Sequence, residues 1–125
     1  MALTLWIALG GALGAALRHF LNIAIARVAG FDFPWHTMLI NISGSLVMGM
    51  LISFMALRWN VSSELRAFLT TGVLGGYTTF SAFSLDFAVL VERKTYVLAG
   101  AYVAGSVVLS LMAVFVGMAI ARTLA

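Results

Sequence analysis

Apolar residues run almost without interruption through four stretches of this chain, at about residues 3–27, 36–57, 64–91 and 96–124. Each exceeds the roughly 20 residues that an α-helix needs to cross a bilayer. The polar positions inside these stretches are few, and several fall at helical spacing. Thr37, Asn41, Ser45 and Gly49 recur at every fourth residue, with Ser43 and Gly44 beside them, so a small and polar stripe runs down one face of the second span. Tyr102, Ser106 and Ser110 form a similar ladder on the fourth. Gly10, Gly11 and Gly14 give the first span a small-xxx-small face that lets another helix approach closely, and Gly100, Ala104 and Gly105 favour close packing on the fourth. The pattern predicts an all-α integral membrane protein: a single four-helix transmembrane domain over residues 1–125.

The third span departs from this pattern between Thr71 and Ser84. It carries the pair Gly75-Gly76, the hydroxyls of Thr71, Thr78, Thr79, Ser81 and Ser84, and two phenylalanines, Phe80 and Phe83. Glycine costs about 1 kcal/mol in a helix interior and is tolerated where the backbone bends or carbonyls must be freed. Non-helical backbone at membrane depth survives only where it is buried in protein or lines a water-filled path. The stretch predicts a third helix broken at mid-membrane, built to meet a ligand or an ion. Phe80 and Phe83, at i and i+3, project from nearly the same face. Two readings of that pair stand: core packing, or ring edges turned toward an anion, because the rim of a phenyl ring carries partial positive charge.

Composition narrows the class. Hydrophobic residues make up 63% of the chain and charged residues 9%, against about 25% charged in ordinary soluble domains; the mean hydropathy is +1.11. The seven basic residues are scattered singly, which argues against nucleic acid and assigns the charge to loops and helix ends. The absence of cysteine excludes disulfides and thiolate metal sites. The N-terminal residues lack the basic region of a secretory signal and read as a retained first helix. No HExxH, P-loop or G-x-S-x-G motif occurs, and the two histidines and four carboxylates are widely spaced, so the chain does not read as an enzyme.

The remaining polar residues each admit a structural and a functional reading. Arg18 is either a snorkelling interfacial cation or a cation at the mouth of an anion path. His19 is interfacial or a proton carrier. Asn41 is interhelical glue or a hydrogen-bond donor facing a pore, since its amide needs partners inside hydrocarbon. Asp86 is solvated or ion-paired near the interface, or a functional acid. The serines of the fourth span either return their hydrogen bonds to the i−4 carbonyl or line a path. Asp32 and Pro34 suit the start of the second helix, Ser62 or Ser63 can cap the third, and Glu64 falls in its first turn.

With four spans, Arg58, Arg66 and Arg122 share one side of the membrane and Arg18, Arg27, Arg93 and Lys94 the other. This tally has no positive-inside bias. A small protein without bias inserts both ways, and the two forms can pair as an antiparallel homodimer that imitates the inverted repeats of larger transporters.

The run Gly75-Gly76-Tyr77-Thr78-Thr79-Phe80-Ser81-Ala82-Phe83-Ser84 resembles the pattern G-G-x-[ST]-T-F-S-[ST]-F-S of the Fluc (CrcB) fluoride channels. Gly10-Gly11 through Gly14 to Arg18 is similar to that family's first-helix G-G-x-x-G-x-x-x-R, and Thr37 to Asn41 to its second helix. Tyr77 stands where leucine is usual, Ala82 where a hydroxyl residue is usual, Asp86 in place of a glutamate, and Val114 where some members carry threonine. The resemblance implies an antiparallel dual-topology homodimer with two fluoride pores, passively exporting fluoride across a prokaryotic plasma membrane (the inner membrane if Gram-negative). It implies a fluoride path along Phe80, Phe83, Asn41, Ser81, Thr79, Thr37, Tyr102, Ser106 and Ser110, with Arg18 in the vestibule. It also implies a structural sodium ion held at the dimer interface by the carbonyls of Gly75 and Thr78. The competing readings are a small proton-coupled multidrug-type exporter using Asp86, and a membrane partner protein that transports nothing. The exporter chemistry typically uses an acid deep in the first helix, and no acid precedes Asp32.

Overall fold

A computed structural model describes all residues from Met1 to Ala125. It is all-helical, and four of its helices are long and apolar enough to cross a membrane. Helix α1 spans Ala2–Ala29 and stops at Gly30, whose φ of 81° only glycine adopts freely and whose N–H returns to the Ala26 carbonyl. Pro34 occupies the capping position of α2, Trp35–Leu57, one residue earlier than the first turn in which the sequence places it. The third span, Ser63–Glu92, is divided. It begins as α3, Ser63–Ala67, with the Ser62 hydroxyl accepting from the Leu65 N–H at 3.2 Å and Glu64 in the first turn. It then widens into a π-helical stretch, Phe68–Leu74, tightens again as α4, Gly75–Tyr77, and resumes after a break as α5, Phe80–Glu92. Helix α6, Tyr96–Leu124, completes the chain.

The most extensive helix pair is α2 with α6, and α1 packs along the π-helical stretch and α4. Both contacts depend on missing side chains. A Cβ on Gly49 would run into the Val114 carbonyl, and one on Gly117 into the Leu46 carbonyl, so each helix seats a glycine against the other's backbone. On the other side of the fold, Gly10 lies against the Phe68 carbonyl and Gly72, Gly14 against the Val73 carbonyl, and Gly76 against Gly11. The first-span glycines thus act as their spacing predicts. Those of the fourth span do not: Gly100 has open space around its α-carbon and Gly105 meets only the flexible end of Met38, while the close approach is made at Gly117. The reason is the direction of the α6 face, since Gly117 and not Gly100 points at the α2 backbone.

Few residues of the chain are buried, 21 of 125. Leu5, Leu9, Leu13 and Leu17 form an exposed ridge along α1, as expected of a helix whose outer solvent is hydrocarbon. Two small clusters make the interior. Met38, Leu90, Ala99 and Tyr102 pack with Phe33 and Phe83, and Ile40, Leu74 and Tyr77 pack with Leu21 and Ile25. Both include residues of α2, which places that helix alongside the interruption of the third span.

Candidate functional site

The third span leaves helical geometry at Thr78 (φ −81°, ψ 157°) and Thr79 (φ −150°, ψ 122°). The extended backbone falls inside the Thr71–Ser84 stretch that the sequence marks, just past the paired glycines. Gly75 is helical, with φ −63° and ψ −38°, and the extended residues are the two threonines. β-Branched threonine accepts extended backbone readily, whereas Gly76 is needed for its contact with Gly11. The Thr78 hydroxyl donates to the Leu74 carbonyl at 2.9 Å and closes α4. The Thr79 hydroxyl accepts from the Ala82 N–H at 3.1 Å and opens α5.

An extended residue between two helices has a peptide donor and acceptor that no ladder satisfies. Asn41 of α2 meets both. Its Oδ1 accepts from the Thr79 N–H at 2.8 Å and its Nδ2 donates to the Thr79 carbonyl at 3.0 Å. The pairing also fixes which amide atom is which, since the reversed orientation would oppose donor to donor. In a continuous helix the Thr79 N–H would bond to the Gly75 carbonyl, so its capture by Asn41 removes that carbonyl's helical donor.

Tyr77 anchors the upstream side. Its hydroxyl lies 2.9 Å from Ser43 Oγ, which itself donates to the Ile40 carbonyl at 3.0 Å, so the tyrosine is the donor of the pair. Tyr77→Phe is expected to lower stability by about 1 kcal/mol, measured by thermal unfolding in detergent. An unchanged melting temperature would show that this bond contributes nothing.

Around the break lies an open-sided trough of about 370 Å³. Asn41, Gly44, Ser45 and Met48 of α2 form one wall, Thr78, Thr79, Phe80 and Phe83 a second, and Ser106, Ser110 and Val114 of α6 contribute the third. None of its lining residues carries a formal charge. The ring centroids of Phe80 and Phe83 are 5.5 Å apart, and the Phe83 ring lies 5.1 Å from that of Tyr102. Phe83 is partly buried against the interior while Phe80 is 78% exposed, so Phe80 is not a core residue of the chain's own fold. The Ser106 hydroxyl is buried and has no hydrogen-bond partner, including the i−4 carbonyl that a packing-only serine would use.

The other sequence-predicted residues lie elsewhere. Tyr102 is fully buried behind Phe83, where its hydroxyl donates to Asp86 Oδ2 at 3.0 Å. Thr37 is buried one helical turn before Asn41 and does not line the trough. Arg18 and Ser81 line a separate cavity of about 480 Å³ with His19 and Asn22, and Thr79 belongs to the walls of both. Gly75 is exposed, and its carbonyl, with that of the extended Thr78, is the kind of oxygen a hard cation takes. No group of three or more His, Cys, Asp or Glu side chains is placed to hold a metal.

A family profile described as "CrcB-like protein, Camphor Resistance (CrcB)" matches residues 5–118. The chain belongs to the CrcB family. Among curated relatives, it is 52% identical over 120 residues to a protein of Rhodopseudomonas palustris named "Fluoride-specific ion channel FluC", covering 96% of this chain and 97% of the relative. A protein of Agrobacterium fabrum with the same name is 48% identical over 118 residues, covering 94% of both chains. A third, from Rhodospirillum centenum, is 48% identical over 123 residues, covering 98% of both. The match spans all four long helices of this CrcB member and includes the break.

Two features of the site escape a reading of the residues alone. One is the clamp of Asn41 on Thr79, since an amide in a span reads equally well as glue or as a pore donor. The other is Gly44, where a Cβ would collide with the Thr78 side chain, so its smallness makes room for the break. The one signal in the sequence for the position of the break is the residue type of Thr79, a preferred helix cap inside an apolar run.

Proposed function

We propose that this protein is a fluoride-specific ion channel and not an enzyme, exporting fluoride passively across the plasma membrane of a prokaryote. The observation that carries the reading is the trough, which joins two phenyl rings, a carboxamide and serine and threonine hydroxyls without a formal charge. Conduction requires binding favourable enough for entry and weak enough for release. Neutral donors and ring edges meet that demand better than a buried cation. The names of the relatives, at about half identity over nearly the full chain, support the same ion.

The ion path runs along Phe80, Phe83, Asn41, Thr79, Ser106 and Ser110, with Ser81 and Arg18 in the adjoining vestibule and Thr37 and Tyr102 behind the wall. The open side of the trough and the exposed Phe80 ring favour a second copy as its cover, in the antiparallel homodimer that the balanced charges suggest. Two pores then form per dimer. At the dimer centre, the carbonyls of Gly75 and Thr78 hold sodium as a structural ion. The loss of the Gly75 carbonyl's helical donor supports that assignment, and the all-oxygen donor set suits a hard cation.

Purified protein in liposomes is expected to release fluoride faster than empty vesicles while retaining chloride. No release above empty vesicles would overturn the channel reading. Phe80→Ile is expected to cut fluoride flux about ten-fold, the equivalent of ~1.4 kcal/mol at the barrier. Stability should hold, because the ring is 78% exposed. Full flux in the intact variant would remove the ring-edge argument.

A further inference from the structure

The C-terminal half of α2 carries a feature that the trough does not use. Val47, Met50, Leu51 and Phe54 line a surface groove of about 510 Å³, and Arg58 and Trp59 close its end. The end is shaped by the backbone, because the N–H groups of Arg58 and Trp59 both return to the Phe54 carbonyl, at 2.9 and 2.8 Å. By helical phase the groove sits roughly 150° around α2 from the face that carries Asn41 and Ser45. It is therefore a separate surface.

Its chemistry is graded along its length. The floor is hydrocarbon, and the one charged group is the Arg58 guanidinium at the end. Arg58 Nη2 donates to the terminal main-chain oxygen of Ala125 at 2.9 Å, which positions the guanidinium while leaving most of its five donors for a second anion. Trp59 is half exposed beside it, the placement favoured at a membrane–water interface. From Val47 to Arg58 the helix rises about 16 Å, close to half of a ~30 Å hydrocarbon core. The groove is thus as long as one leaflet is deep, apolar along that depth and cationic at head-group level. A second copy of the chain laid over it would take the guanidinium and its partner out of water, a desolvation cost that pairing alone does not repay. A lipid leaves that charge among head groups.

We propose that this groove holds an acyl chain of a phospholipid from the adjoining leaflet, with Arg58 on the phosphate and an anionic head group preferred over a zwitterionic one. The site is independent of the ion that the trough conducts.

Native mass spectrometry of the detergent-purified protein tests it, with phosphatidylglycerol and phosphatidylcholine of identical acyl chains added in turn. The phosphatidylglycerol adduct should predominate. Arg58→Gln should reduce that adduct about five-fold, the effect of one basic residue at a membrane surface, and reduce the phosphatidylcholine adduct by less, because the choline cation already offsets the phosphate that Arg58 meets. Arg66→Gln, at the same end of the fold, should change neither. Leu51→Trp, which fills the floor, should reduce both adducts. Equal retention of the two lipids, or a phosphatidylglycerol adduct insensitive to both Arg58→Gln and Leu51→Trp, would overturn the proposal. Loss of the dimer on Leu51→Trp with lipid adducts unchanged would also overturn it, by making the groove an interface between copies.

Discussion

Asn41→Leu is expected to abolish fluoride flux and to lower the unfolding free energy by about 2–5 kcal/mol. The two effects have one cause. Leucine keeps the bulk of the side chain and removes both bonds to Thr79, so a peptide N–H and a carbonyl are stranded where no helical ladder reaches them. The segment then either rebuilds a continuous helix, which redirects Phe80, or carries the cost of two unpaired groups. Asn41→Asp separates the contributions. Its carboxylate still accepts from the Thr79 N–H but no longer serves the carbonyl, so stability should fall by roughly half as much. Flux should nonetheless be lost if the trough carries the anion as proposed, because a negative charge would then stand in its path. Thermal unfolding and liposome efflux, run on both variants, check this. Lost flux with unchanged stability in Asn41→Leu would reduce Asn41 to a pore donor.

The second large effect is expected at the crossing of α2 and α6. Gly49→Ala and Gly117→Ala should each destabilise the protein by about 1–3 kcal/mol, the usual range for overpacking. The bulkier Gly117→Val should prevent a folded protein from accumulating. The atoms in the way are the carbonyls of Val114 and Leu46, which belong to helix backbone and cannot swing aside as a side chain would. Gly100→Ala provides the contrast on the same helix. Nothing lies near its α-carbon, so alanine should stabilise by up to about 1 kcal/mol through helix propensity alone. Melting temperatures in detergent decide the matter: equal shifts for Gly100→Ala and Gly117→Ala would mean that the close crossing is not what holds these helices.

Much of the architecture was legible because a bilayer imposes a length and a polarity on every span, and these can be counted from residues. The glycine face of α1 was legible for a related reason, since its spacing matches one side of a helix. The glycines of α6 show the limit of that logic. Gly100 and Gly105 have a plausible neighbourhood in sequence, but only the direction of the helix makes Gly117 the one that meets α2. The break illustrates a different limit. Paired glycines advertise flexibility, yet flexibility permits a bend without requiring one. Gly75 and Gly76 stay helical while two threonines extend, because a partner on α2 satisfies Thr79. That partner is 38 positions away, so spacing within the third span could not reveal it. The unpaired hydroxyl of Ser106 is similar: the ladder placed it on a face, and its neighbours determined that it bonds to nothing there.

The π-helical stretch Phe68–Leu74 carries a consequence for the chain's tolerance of insertion and deletion. It is gripped by α1 along its length, with Gly10 against Phe68 and Gly72 and Gly14 against Val73, and the contact continues to Gly76 of α4. Its downstream end leads within a few residues to Thr79 and Phe80. Each residue of a helix turns the direction of all that follow by about 100°, and i→i+5 bonding accommodates one more residue per ring than an α-helix does. Deleting one residue here would keep only the α1 contacts upstream of the deletion, shift Gly76 off Gly11, and rotate Thr79 away from Asn41 and both phenylalanines away from Ser106. The stretch sets the rotational phase between the upstream contacts with α1 and the half of the span that lines the trough.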